Sequence, residues 1–297
     1  MFPYTSEFKY LPVSQVDIDW GLFVTGSGYA CVPPNTPYPN DNHPTGYHFD
    51  WEHGRVLHEY QVVYVTRGSG EYESKATGKK KIKAGNVIML FPGVWHRYKP
   101  DKKIGWEEHW VSFNGDFPER FVKLRFFSPE HPLLDPGYNV LMFDLYREIL
   151  NAMQNEPIGY QQLIAALTIE IMARLRTAVL AKNAGGKDVE AIITRARRIL
   201  VHQTDKAVDM KALALQLNIS YSWFRRMFKH YSGMPPRKFH QQIRINKAKE
   251  LLTNRNMSVK TISHKLGFDS EYYFMVLFKK ITGKTPSQWR KTSREND

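Results

Sequence analysis

Phe228-Lys229-His230-Tyr231-Ser232-Gly233-Met234-Pro235-Pro236 is echoed fifty residues on by Phe278-Lys279-Lys280-Ile281-Thr282-Gly283-Lys284-Thr285-Pro286. At the same offset Phe224 matches Phe274 and Trp223 matches Tyr273. Upstream, Leu217 matches Leu266 at an offset of forty-nine, so the second copy has one more residue in its turn. A repeat of this size with helical periodicity on both sides of a short turn reads as two helix-turn-helix units. In such a unit the first helix and the turn aim a second helix into the major groove of DNA.

Copy one is expected to run over residues 210–217, turn at Asn218-Ile219 and cap its second helix with Ser220. Phe224, Phe228 and Tyr231 fall on one helical face and should pack inward, which turns Ser222, Arg225, Arg226 and Lys229 outward. Arginine can hold guanine through two parallel hydrogen bonds, or grip a phosphate. Copy two runs over 259–266, turns at Gly267-Phe268 and starts its second helix near Ser270-Glu271. Phe274, Phe278 and Ile281 read as buried, while Tyr272, Met275 and Lys279 point out, a less basic face than the first. Residues 237–254 should form one rigid helix that spaces the two readers. Successive major-groove turns lie about 34–36 Å apart.

The charge distribution agrees. Residues 187–297 carry 23 Lys and Arg against 9 Asp and Glu, and the remaining 186 carry 19 against 20, for a net +13. A basic third joined to a neutral remainder suggests that the tail meets a polyanion, against the plainer reading of a solvated basic surface. The chain is 42% apolar and 13% aromatic over 297 residues, enough for two domains with sizeable cores. One cysteine, Cys31, excludes an intramolecular disulfide and a cysteine-rich zinc site and suits a reducing cytosol. The first twenty residues lack the basic start and apolar run of a signal peptide. Residues 158–180 are the most apolar stretch but contain Glu170, Arg174 and Arg176, which argues against a membrane span of about 18 residues. The expectation is a cytoplasmic protein with no membrane partner.

From residue 29 to 115 the text is strand-like, short runs punctuated by Gly and Pro, as in an all-β sandwich or barrel. Residues 61–66 (Gln-Val-Val-Tyr-Val-Thr) are followed by an expected turn at Arg67-Gly68-Ser69-Gly70 and a continuation over 71–74. After Pro136 the period changes: Val140, Phe143, Leu145, Ile149 and Leu150 fit one helix, and Leu163, Ile164, Leu167, Ile171, Leu175 and Val179 a longer one. The longer stripe suits core cover for the barrel or a dimer seam. Residues 182–187, polar and glycine-bearing, read as the linker. The expected class is α+β and multidomain: a β-barrel over 1–136, helices and linker over 137–186, and an all-α double helix-turn-helix over 187–297.

The stretch Ile262-Ser263, Leu266-Gly267-Phe268, Tyr273-Phe274, Phe278-Lys279-Lys280, Gly283, Thr285-Pro286-Ser287 and Trp289-Arg290 resembles the signature of arabinose-operon-type (AraC-type) regulators. The resemblance covers roughly residues 190–291. One departure stands out: the family pattern has Ser-Arg after the Tyr-Phe pair, and this chain has Met275-Val276, whereas copy one keeps Arg225-Arg226. The segment from Gly85 through Pro92-Gly93-Val94-Trp95-His96 to residues 106–115 resembles the sensor half of the same family, a small cupin-like barrel. By position in that pattern Arg55, Tyr98, Glu108 and Trp110 match ligand contacts of the sugar-responsive member, with His96 adjacent. An arginine and a carboxylate can bracket hydroxyl groups while an aromatic ring stacks on the sugar. Each also has an ordinary reading, as a core aromatic or a plain ion pair. Glu108 stands where that member has histidine, so the effector need not be the same sugar.

The resemblance further implies double-stranded operator DNA, a small-molecule effector, a homodimer, activation of a carbohydrate-utilisation operon and an N-terminal arm (residues 1–10) over the pocket. It leaves an RNA polymerase contact open. No catalytic residue, metal or cofactor is expected. Enzymatic cupins use a His-x-His pair, and the corresponding strand here reads His58-Glu59-Tyr60-Gln61. His43, His48, His53 and His58 lack ligand spacing and read as surface residues. The rivals are a front domain that only dimerises or binds protein partners, and a metal-dependent cupin enzyme with a DNA-binding tail. A repair protein with a methyl-accepting cysteine is disfavoured, because Cys31 sits alone in Tyr-Ala-Cys-Val-Pro-Pro.

Overall fold

The computed structural model describes residues 6–38, 51–183, 187–253 and 257–295, and the chain divides into two compact units, Met1–Val179 and Leu180–Asp297. The first holds nine described strands: β1 (Glu7–Tyr10), β2 (Phe23–Val32), β3 (Arg55–Val56), β4 (Tyr60–Ser74), β5 (Gly78–Lys83), β6 (Val87–Leu90), β7 (Trp95–Pro100), β8 (Trp106–Asn114) and β9 (Leu133–Leu134). The pairings are antiparallel. One sheet runs β1-β2-β8-β4-β6-β9, while the second half of β4 pairs with β5 and β7, and β3 with β7.

The 15-residue β4 therefore belongs to two sheets. The turn expected at Arg67-Gly68-Ser69-Gly70 does not form, and one strand passes through. Its register against β8 shifts between Val65 and Arg67, and Gly68 holds φ +79°. A Cβ at Gly68 would lie 2.1 Å from the Gly105 carbonyl oxygen. The glycine serves a bulge that bends the strand while its ladder continues, which Gly-x-Gly alone does not distinguish from a reversal.

Alternation along β4 divides its side chains. Val63 and Val65 point into the barrel with Tyr72, Ile82, Tyr98, Trp106 and Trp110. Tyr60, Val62 and Tyr64 face the other way and join a core completed by two helices. The unit's helices are α1 (Gln15–Asp19), α2 (Asp116–Lys123), α3 (Val140–Asn155) and α4 (Tyr160–Asn183), the last crossing into the second unit. Met142, Tyr146 and Ile149 of α3 and Ile164, Ile171 and Leu175 of α4 are fully or almost fully buried against that face. The longer apolar stripe thus covers the sheet. Leu163, Ala166, Glu170, Ala173 and Thr177 lie on the exposed side of α4. Neither short helix was anticipated: α1 is five residues held by a Ser14–Asp17 capping box, too brief to show a period.

In the second unit α5 (Lys187–His202) precedes α6 (Met210–Gln216) and α7 (Tyr221–Ser232), the two arms of copy one. Then come α8 (Pro236–Leu252), α9 (Val259–Lys265) and α10 (Glu271–Thr282), with α11 (Pro286–Glu295) last. Residue 254, the expected end of the spacing helix, lies outside the described residues. Asp209 and Ser258 cap the first helices, Ser220 and Ser270 the second, each accepting a backbone N–H through its side-chain oxygen. Both turns pass through the left-handed region, at Asn218 in copy one and Gly267 in copy two. Asn tolerates that conformation, but at Gly267 a Cβ would meet the Asp205 carbonyl oxygen at 2.2 Å. Phe224 and Phe228 anchor one core, Phe274 and Phe278 the other, all fully buried. Truncating any of them to alanine should cost about 3–5 kcal/mol.

Gly68→Ala tests the bend. Positive φ and the close Gly105 carbonyl together should destabilise the barrel unit by about 2 kcal/mol or more. Urea unfolding followed by tryptophan fluorescence checks it, and an unchanged midpoint would show that the bend does not depend on this glycine.

Candidate functional site

β3, β7 and β8 deliver the five expected ligand residues to the barrel interior. On β7 the inward side chains are His96, Tyr98 and Pro100, on β8 Trp106, Glu108 and Trp110, as period-2 alternation dictates. Arg55 of β3 ties them together. Its Nη2 donates to Tyr98 Oη at 2.8 Å and to Gln61 Oε1 at 3.2 Å, and its Nε donates to His96 Nε2 at 3.2 Å. Acceptance at Nε2 leaves the His96 proton on Nδ1, 3.0 Å from the Val94 carbonyl oxygen. Burial first, then the Arg55 charge, holds the His96 pKa down to about 3, so the ring is neutral. Trp110 is buried and packs against Tyr10 at a ring distance of 5.8 Å.

Glu108 is the least satisfied member. Its Oε1 accepts from Tyr38 Oη at 3.2 Å, but Oε2 is buried with no hydrogen-bond partner. Burial pushes its pKa up to about 7, against the smaller downward pulls of Tyr38 and Arg55. The indole Nε1 of Trp106 is likewise buried and unpartnered. A buried polar group without a partner costs about 1–3 kcal/mol, so the interior holds a carboxyl oxygen and an indole N–H that a polar molecule would satisfy.

Three of the interior residues were not singled out from sequence. Gln61 donates to Ser112 Oγ at 2.9 Å, and Tyr38 packs its ring against Tyr98 and Trp106. Gln61 shares the parity of Val63 and Val65, a signal alternation could have supplied. Tyr38 sits in Pro-Asn-Thr-Pro-Tyr-Pro, where no period applies. An open pocket of about 750 Å³ lies where residues 33–38 meet Lys81, Lys99 and Lys102, and Tyr38 is its one member in the buried network. The expected arm is described only from Ser6: Glu7–Tyr10 is strand β1 at the sheet edge, with Phe8 and Tyr10 packed on the barrel core. His43 and His48 lie outside the described residues, and His53 and His58 are exposed. Among the described residues no group of three His, Cys, Asp or Glu could hold a metal ion.

The helical unit presents the other site. Ser222, Arg225, Arg226 and Lys229 are exposed on α7, opposite the buried Phe224 and Phe228. Ser220 is engaged as the N-cap, its Oγ 3.3 Å from the Trp223 nitrogen. On α10 Tyr272, Met275 and Lys279 are exposed and Glu271 is half-buried. Tyr221, Tyr273 and Val276 share these outward faces and were not among the expected residues. Ile281 and Tyr231, expected inside, are only half-buried near the helix ends. Between the copies α8 is pinned at two points: His240 Nε2 lies 2.6 Å from the Gln203 carbonyl oxygen, and buried Arg244 donates from Nε and Nη2 to the Leu266 carbonyl oxygen. Arg244 also stacks over Phe268 at 3.8 Å, so two residues one turn apart tie α8 to the segment before copy one and to the turn of copy two.

Residues 37–172 match the AraC-like ligand binding domain family, and residues 213–292 match a helix-turn-helix domain family. The chain is 26% identical to the arabinose operon regulatory protein of Escherichia coli over 78% of this chain and 80% of that one. It is 24% identical to the MmsAB operon regulatory protein of Pseudomonas aeruginosa, over 88% and 86% of the two chains. It is also 24% identical to a raffinose operon transcriptional regulatory protein of Pediococcus pentosaceus, over 89% and 91%.

The Glu108 carboxyl sets a pH dependence. With its pKa raised from 4.5 to about 7, the native state keeps a proton that the unfolded chain releases. Native protein then binds more protons, so stability falls as pH rises from about 4.5 to about 7 and levels off above, by on the order of 3 kcal/mol. His96 and His109, held to about 3 and about 4, act in the opposite sense and lose stability as pH falls. Subtracting Glu108→Gln from wild type removes the histidine contributions. Urea unfolding from pH 4.5 to 8 should show the variant gaining on wild type, and a flat difference would mean the carboxyl is solvated.

Proposed function

We infer, because this chain belongs to the AraC-type family of transcription regulators, that it binds operator DNA under the control of a sugar effector held in its barrel. The observation that carries the effector reading is the unpartnered Oε2 of Glu108 beside the Arg55–Tyr98–Gln61 network, with aromatic rings on the same inner surface. Sugars offer hydroxyls that both donate and accept, plus an apolar ring face for stacking. The relatives' arabinose and raffinose operons favour a carbohydrate-utilisation operon, with activation as the proposed direction of control. No reaction is assigned to the chain, and the cytoplasm is its proposed location.

In this reading residues 1–136 sense, residues 137–186 pair two copies and link, and residues 187–297 bind DNA. The exposed side of α4, with Leu163, Ala166, Ala173 and Thr177 around the charged Glu170, is the surface proposed for pairing. Effector binding then shifts the population between DNA-binding arrangements by its differential affinity for them. Because the helical unit is so basic, operator affinity should fall steeply with salt.

Thermal-shift screening of the full chain against pentoses, hexoses, uronic acids and short oligosaccharides tests the effector. Ligand at a hundred times its Kd should add about 2.7 kcal/mol of stability. The near-isosteric Glu108→Gln is a cleaner control than Trp110→Ala, which would remove core packing, and a hit lost in Glu108→Gln is the expected result. No hit across the panel, in protein that still binds DNA, would sink the sugar effector and favour a front unit that only dimerises.

For the DNA reading, Arg225→Ala should weaken specific operator binding by about 1–3 kcal/mol, and Met275→Ala by less. Equal loss on operator and random duplex would make Arg225 a phosphate contact instead.

A further inference from the structure

α7 and α10 are the same helix in two copies, with equivalent caps and buried phenylalanines, so their outward positions correspond one to one. Where copy one exposes Ser222, Arg225 and Arg226, copy two exposes Tyr272, Met275 and Val276, at 73%, 37% and 47% of their surface. These apolar groups are not core. The inward side of α10 is filled by Phe274, Leu277 and Phe278, all buried. Helices α9 and α10 carry the exposed cations Lys260, Lys265, Lys279 and Lys280, with Asp269 and Glu271 the acidic residues between 259 and 282. An apolar patch on lysine-bearing helices, at positions homologous to an arginine pair, fits a phosphate-lined groove better than an apolar protein surface.

Within the major groove the apolar group on a base edge is the thymine C5-methyl. Building on the DNA-binding reading above, we propose that α10 reads thymine methyl groups through Tyr272, Met275 and Val276. The two half-sites are then chemically unlike. Copy one selects by hydrogen bonds from arginine, and copy two by burying methyl groups, with lysines on the flanking phosphates. Copy two therefore prefers a thymine-bearing half-site without any bidentate base contact.

Sites are first selected from a random duplex pool with the full-length protein. The half-site whose sequence Arg225→Ala no longer discriminates belongs to α7, and the other belongs to α10. Thymines in the α10 half are then replaced by deoxyuridine, which keeps the hydrogen-bonding edge and lacks the methyl. Wild type should lose roughly fourfold in affinity for each methyl it buried. The double variant Met275→Ala/Val276→Ala should lose that discrimination at the thymines it no longer covers, keeping it at most where Tyr272 makes the contact. Its substitutions are at exposed positions, and an unchanged helical circular dichroism spectrum confirms the fold. The proposal is overturned by an α10 half without selected thymines, by uracil sites that bind as tightly as thymine sites, or by equal losses in wild type and double variant. It is also overturned if the double variant binds DNA like wild type yet loses transcriptional output, which would assign the face to a protein. Failure to enrich any sequence would instead defeat the DNA-binding reading itself.

Discussion

The barrel unit depends on one strand serving two sheets. β4 pairs with β8 and β6 through its first half and with β5 and β7 through its second, and the bulge between Val65 and Arg67 lies just before the change of partners at Gly68 and Ser69. Because side chains alternate, this path decides which residues see the interior and which see the helices. A one-residue slip would send Gln61 and Val63 to the helical face and bring Val62 and Tyr64 inside. Arg55 would then lose its Gln61 partner, and Tyr146, 3.4 Å from the Val62 carbonyl oxygen, would lose its place beneath the sheet. The interior chemistry is therefore a consequence of register, held by the apolar packing behind it.

That packing allows the interior to be poorly satisfied. A core of Val62, Tyr64, Val111 and Phe113 under α3 and α4 supplies stabilisation on the far side of the same strands that carry Glu108 and Trp106. Leaving a buried carboxyl oxygen and an indole N–H without partners costs free energy that a folded domain tolerates only when the rest of its structure offsets it. The same deficit would favour binding of a ligand rich in hydroxyls, as the proposed effector is. Arg55 contributes orientation as well as charge, since it donates to Tyr98, His96 and Gln61 and so holds those groups in fixed positions in the barrel interior.

Most of the helical unit could be read from sequence because its signals are local and occur twice. Ser220 and Ser270 lie where capping chemistry places them, and an apolar period of three to four residues separates Phe224 and Phe228 from Arg225 and Arg226. The barrel was less legible for a physical reason. Strand pairing is non-local, so Arg67-Gly68-Ser69-Gly70 carries turn residues in a segment whose partners, forty residues away at Glu107 and Trp106, keep it extended. Tyr38 was invisible for a similar reason, since its role arises from an irregular segment reaching Glu108, seventy residues on. The inward set on β7 and β8 was legible through resemblance and parity, but the hydrogen bonds linking its members were not.

The two DNA-facing copies show what repetition constrains. Their buried positions keep the same chemistry, phenylalanine against phenylalanine, because a change there alters how the second helix leaves its turn. Their outward positions are exposed, carry no part of the core and diverge, from Arg225-Arg226 to Met275-Val276. Spacing is not free to diverge, since α8 packs Phe239 on the copy-one core and Ile245, Ala248 and Leu252 into the copy-two core, with Arg244 held to the Leu266 carbonyl. Divergence is thus confined to the chemistry of reading, with geometry held constant. A duplex site bound by both helices must match a fixed separation, while each half is selected independently by whatever its helix exposes.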